Sequence, residues 1–140
     1  PVGLDGLRFA EEHNLGTIIR VPLAQGALTG KYFNNLDELD NTDRRHVRFN
    51  NKRIATALIK LSELGYLVKG GQRTMVQAAL RFVLDTPGVT SAIPGAKDRK
   101  QLAENAGAVE APPLTEKERR KALSIADEAD WPLPPYSNWT

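Results

Sequence analysis

The chain has 140 residues, 41% hydrophobic and 26% charged, with a formal net charge of +2 and no cysteine. That length fits one domain with its own core, and no apolar run approaches the roughly 20 residues needed to span a bilayer. The small cationic excess (pI about 9.1) argues against a nucleic-acid-binding surface. The lack of cysteine excludes disulfides, thiolate catalysis and cysteine-ligated zinc, and fits a reducing compartment. The N-terminus, PVGLDGLRF, has neither the basic start nor the apolar core of a signal peptide. Without an initiator Met, the chain is expected to be a piece of a longer one.

Leu4, Leu7, Ala10 and His13 fall on one helical face, and Asn14-Leu15-Gly16 is a helix stop. Thr17 to Val21 is a short β-branched run, expected as a buried strand that Pro22 interrupts. A glycine-bearing loop with Gly26 and Gly30 follows, polar to about Asn50 and long enough to suspect function. Residues 51–64 predict an amphipathic helix with Ile54, Leu58, Leu61 and Leu64 on its inner side, and Gly70-Gly71 is a break. Thr74–Gln77 has the pattern of a capping box. It opens a helix in which Val76, Ala79, Leu80, Val83 and Leu84 are expected to face inward. Pro87-Gly88 ends that helix and a second apolar strand, 89–93, comes next. Asp98–Gln101 and Thr115–Glu118 are two further capping boxes. Their helices are expected to run to about Ala106 and Glu128, the latter with Leu123 and Ala126 in the core. The proline-rich tail, 131–140, is expected as an extended strap or a disordered end. No internal repeat is evident.

Strands that alternate with helices imply parallel βα units, and the nearly all-apolar strands predict a sheet covered on both faces. Two strands cannot supply that cover, so neighbours are required.

Two loops carry the chemistry. After the second strand, Pro94-Gly95 is followed by Lys97, Arg99 and Lys100 around a capped helix start. Backbone N–H groups at a helix N-terminus attract anions, and Lys and Arg add charge-assisted hydrogen bonds. After the first strand, Gly26 and Gly30 lie beside Lys31, without the spacing of a P-loop. Both loops leave the C-terminal ends of parallel strands, where ligands of α/β folds bind. Together they suggest one ligand with two phosphate groups, with Glu104 and Asn105 placed for an adenine edge.

Three segments in this order, Pro22-Leu-Ala-Gln-Gly-Ala-Leu-Thr-Gly-Lys-Tyr32, Ala79–Leu84, and Ile93-Pro-Gly-Ala with Gln101–Asn105, together resemble the C-terminal part of an aldo/keto reductase. The resemblance covers residues 1 to about 128. It implies an α/β fold, the C-terminal part of a (β/α)8 TIM barrel with about two strands and five to six helices, incomplete as a barrel on its own. Residues 1–130 would form that portion, with Thr17–Val21 as strand seven and Val89–Ile93 as strand eight. The family reduces aldehydes and ketones with NADP(H) and is cytoplasmic. By resemblance, Arg20 stands where the family often sets an aromatic residue against the nicotinamide. Pro22, Leu23, Gln25, Gly26, Leu28 and Lys31 match the loop around the pyrophosphate. Gly95, Lys97 and Gln101 match the grip on the adenosine 2′-phosphate, where Lys97 replaces a frequent small hydroxyl residue, Arg99 adds further charge and Ala96 is a further cofactor-binding candidate; Glu104 and Asn105 match the adenine contacts. Arg44, Arg45 and Arg48 are open alternatives for one further phosphate contact.

The family's catalytic Asp, Tyr, Lys and His come from the first half of the barrel, and no residues here match them. His13 and His46 are expected as packing or surface histidines, and Tyr32 and Tyr66 lack Lys–Asp partners. The implied partners are a carbonyl substrate and the N-terminal remainder of the barrel, with neither nucleic acid nor membrane. The alternative reading is a non-catalytic module that senses NADP(H) or serves assembly. An isolated fragment is expected to expose apolar strand faces and self-associate.

Overall fold

Three of the helices begin where their side chains can satisfy the free N–H groups of a first turn. The computed structural model describes residues 2–33, 49 and 52–131. Arg44, Arg45, His46, Arg48 and the tail from residue 132 lie outside the described residues. Among the described residues there are five α-helices: α1 (Val2–Glu12), α2 (Lys52–Leu61), α3 (Met75–Leu84), α4 (Arg99–Ala106) and α5 (Glu116–Ala129). Two strands, β1 (Ile18–Arg20) and β2 (Ser91–Ile93), pair in parallel. Their register sets Ile18 opposite Ser91, Ile19 opposite Ala92 and Arg20 opposite Ile93.

Thr74 and Thr115 form complete capping boxes with Gln77 and Glu118. Asp98 accepts from the Gln101 N–H, but the Gln101 side chain reaches back to the Lys97 N–H rather than to that of Asp98. The reciprocal half of this cap is therefore displaced one residue outward, onto the loop.

The main core lies between α2, α5 and the turns beside them. Ile54, Leu58, Leu61 and Leu64 are all buried there, as their spacing predicts, together with Phe49 and Tyr32. In α5 the expected frame is off by one. Ala122, Ile125 and Ala129 are buried, whereas Leu123 is 48% exposed and Ala126 is exposed. The apolar residues of this helix form two adjacent stripes, and contact with α2 selects between them. In α3 the buried positions are Val76, Ala78 and Leu80, with Ala79, Val83 and Leu84 only partly covered.

The sheet is open, as expected of two strands without neighbours. Ile18 is 67% and Ile93 58% exposed. The other face, carrying Ile19, is turned to α1 and α3 across an apolar cavity of about 400 Å³ that Leu7, Phe82 and Val83 also line. Two strands alone leave the sheet open, so one face is covered by helices and the other meets solvent. Arg73 ties distant turns together. Its guanidinium donates to the carbonyls of Leu67, Pro112 and Pro113 and pairs with Glu118.

Candidate functional site

The first loop leaves β1 through Val21, whose φ of 54° is left-handed. A β-branched residue avoids that region, so surrounding structure must hold it there. Pro22 is buried, and Leu23 packs against Val76, Leu80 and Ala108. Ala24, Gln25 and Gly26 are then left-handed in succession, with φ of 49°, 59° and 97°, inside a 3-10 segment, Ala24–Thr29. The Thr29 hydroxyl donates to the Gly26 carbonyl at 2.7 Å and accepts from the Lys31 N–H at 3.4 Å. Tyr32, buried, stacks edge-on against Phe49 with ring centroids 5.6 Å apart, and the Lys31 amine lies 5.5 Å from the Tyr32 ring centroid. The loop is thus pinned at both ends, by Leu23 and by Tyr32.

The second loop is tied to the helix it precedes. The Lys97 N–H donates to the Gln101 side-chain oxygen at 2.9 Å, and the Asn105 amide donates to the Gly95 carbonyl at 3.1 Å. Asn105 is the buried polar side chain among the described residues. One face of α4 therefore fixes the backbone between Pro94 and Lys97.

A cleft of about 740 Å³ lies between the two loops, with Val76 of α3 also in its lining. The structure places eleven of the fourteen candidate residues around it. Pro22, Leu23, Gln25, Gly26 and Lys31 come from the first loop; Gly95, Ala96 and Lys97 come from the second; Gln101, Glu104 and Asn105 come from α4. Three are not in the lining. Leu28 packs against the main core. Arg99 is exposed in the first turn of α4. Arg20 is exposed at the end of β1, beside Ile93, which does line the cleft. Val21, Thr29, Tyr32, Val76 and Pro94 also line it. Thr29, Tyr32 and Pro94 belong to the segments that carry the family resemblance; Val76 reaches the site only through tertiary packing.

The remaining candidates for chemistry are structural. His13 stacks on Phe9, with ring centroids 4.0 Å apart, and its Nδ1 lies 2.9 Å from the Phe9 carbonyl. The Tyr66 hydroxyl donates to the Glu118 carbonyl at 2.6 Å. Burial pushes its phenol above the ordinary value, aided by the Glu118 charge and opposed by Arg73. No helix among the described residues is long and apolar enough to cross a membrane.

Residues 5–127 match the aldo/keto reductase family. Among curated proteins, L-glyceraldehyde 3-phosphate reductase of Escherichia coli is 35% identical over 106 residues, covering 71% of this chain and 30% of its own length. A probable voltage-gated potassium channel subunit beta of Arabidopsis thaliana is 34% identical over 108 residues, covering 73% and 32%. Among solved structures, the glycerol dehydrogenase of Gluconobacter oxydans superposes with a TM-score of 0.66 at 26% identity, covering 92% of this chain and 39% of that one. An open two-stranded parallel sheet flanked by helices, with its cleft at the strand ends, is part of a (β/α)8 barrel, and this chain belongs to the aldo/keto reductase family, a family of oxidoreductases. It spans about a third of the length of the two curated relatives named here.

Proposed function

We propose that the chain is the NADP(H)-holding portion of an oxidoreductase that reduces aldehydes and ketones to alcohols, the catalytic Asp, Tyr, Lys and His lying outside it. The observation that carries this reading is the cleft itself, with a glycine-bearing loop on each wall and Lys31 and Lys97 in its lining. Its volume falls in the roughly 300–1,000 Å³ range of cofactor sites. A Cβ built at Gly95 meets nothing within 4 Å, so bound phosphate can approach that backbone. Two lysines, with the N-terminal end of α4 beside Lys97, suit a polyanion. The cofactor, when bound, supplies the hydride for carbonyl reduction.

In this reading Lys97, with Arg99 beside it, holds a 2′-phosphate, and Glu104 and Asn105 meet the adenine. Pro22 to Lys31 wraps the pyrophosphate. Calorimetric titration of the chain with NADPH and NADH is the direct test. A charged hydrogen bond is worth about 1.5–3 kcal/mol, so NADPH is expected to bind at least about tenfold more tightly than NADH. Lys97→Ala is expected to cost NADPH about that factor and NADH little. Failure of both cofactors to bind would overturn the reading. A second reading, a non-catalytic NADP(H)-sensing or assembly module, is favoured by the similarity to the Arabidopsis protein named as a channel subunit. Binding retained in a parent protein that shows no carbonyl reduction would select it.

A further inference from the structure

We propose that Arg20 makes the site discriminate between the two redox states of its cofactor, taking the reduced form and releasing the oxidised one. The inference rests on the cofactor reading above. Arg20 is the last residue of β1 and pairs in register with Ile93, so the two side chains leave the same face of the sheet side by side. Ile93 and Val21 line the strand end of the cleft. The cations of the second loop and of the first turn of α4 lie toward the helix end, which sets the phosphorylated end of a dinucleotide there and its redox-active ring at the strand end.

Around Arg20 the exposed face carries Ile18, Ser91 and Ile93, so among the described residues of the two strands its guanidinium is the one charge on that face. Among the described residues it has no carboxylate partner and no hydrogen bond from its side chain. The left-handed Val21 follows it directly, so Arg20 borders the cleft through two lining neighbours, Val21 along the chain and Ile93 across the sheet. The C-terminal ends of parallel barrel strands are where ligands are met.

A nicotinamide ring is cationic when oxidised and neutral when reduced. A guanidinium cation opposes the first and tolerates the second, since its plane can lie against a neutral ring. The preference costs nothing at the phosphates, which both forms share. Its consequence for turnover is quicker departure of the spent cofactor and weaker inhibition by it.

The test is calorimetric titration of the full chain and of Arg20→Gln and Arg20→Lys with NADPH, NADP⁺ and 2′-phospho-ADP-ribose, which lacks the ring. Unfolding curves for each variant confirm the fold, and Arg20 is exposed enough to be replaced without loss of packing. The chain is expected to favour NADPH over NADP⁺ by roughly tenfold at low salt, the preference shrinking as salt screens the charge. Arg20→Gln should bring the two forms to within about threefold and leave the ring-less fragment unchanged, while Arg20→Lys should keep most of the preference. Equal affinities in the unaltered chain, or a preference that survives in Arg20→Gln, would overturn this inference and leave the cofactor reading standing. Equal weakening of all three ligands by Arg20→Gln would assign Arg20 to the phosphates and overturn it as well. Absence of binding by any of the three would overturn both.

Discussion

Two glycines on either side of β2 have opposite sensitivities. Gly88, at φ 81°, sits where a Cβ would collide with the Leu7 carbonyl of α1. Gly88→Ala adds a left-handed alanine, about 1–3 kcal/mol of backbone strain, to that collision, and chemical denaturation should show a loss at least that large. At Gly95 a Cβ meets open space. Gly95→Ala should leave stability within about 0.5 kcal/mol and, if the proposed cofactor site holds, weaken NADPH binding in the calorimetric titration, because the added methyl would lie on the wall proposed to meet the phosphates. A Gly95→Ala variant with unchanged NADPH affinity would place the ligand elsewhere. Gly88 was legible in the sequence, since turns that need positive φ select glycine, and Gly95 was legible as the break after an apolar strand. Val21, Ala24 and Gln25 were not, because their side chains normally disfavour the region they occupy. Asn105 was legible as a polar residue near the site, but its bond to the Gly95 carbonyl depends on the loop folding back over ten residues.

At the scale of elements, caps were readable and frames were not. Thr74 and Thr115 announce their helices because the hydroxyl and the residue three positions on satisfy each other's backbone locally. The buried stripe of α5 depends on what the helix packs against, which no local pattern contains. Ile125→Ala should therefore cost about 2–5 kcal/mol, against about 0.5 kcal/mol or less for Leu123→Ala. Equal losses in denaturation would return the helix to the frame expected from sequence. Glu118 joins the α5 cap to Arg73. Burial raises its carboxyl pKa, but hydrogen bonds from the Thr115 backbone and hydroxyl and the nearby Arg73 outweigh burial and hold it below the ordinary 4.5. A carboxylate with a lowered folded pKa binds protons more readily when unfolded. Its contribution is whole above the usual carboxylate range and is lost as pH falls through the folded value. Stability measured from pH 7 down to pH 3 should fall, and Glu118→Gln should be less stable at pH 7 with a shallower slope below pH 5.

At the scale of the whole molecule, the alternation of strands and helices was enough to indicate a parallel α/β unit and the cleft at its strand ends. Near-continuous apolar strands imply cover on both faces, which two strands cannot supply, and Ile18 and Ile93 accordingly stand on an open face. An exposed apolar sheet face with free edges favours association. Sedimentation of the chain at rising concentration should give a weight-average mass above 15.4 kDa, and the double variant Ile18→Lys, Ile93→Lys should return it toward monomer. A monomer at every concentration would count against this expectation.

The two strands are also joined at their start. Thr17 and Thr90 exchange hydrogen bonds, each backbone N–H donating to the other's hydroxyl at 3.0 Å, across 73 residues of chain. On a ribosome, β1 emerges long before the strand that completes it. At about 5–20 residues per second the delay is about 4–15 s, during which β1 lacks the strand it pairs with here. The interval between Thr17 and Thr90 is thus one in which this segment depends on a chaperone, and codon choice across it becomes a lever on its yield.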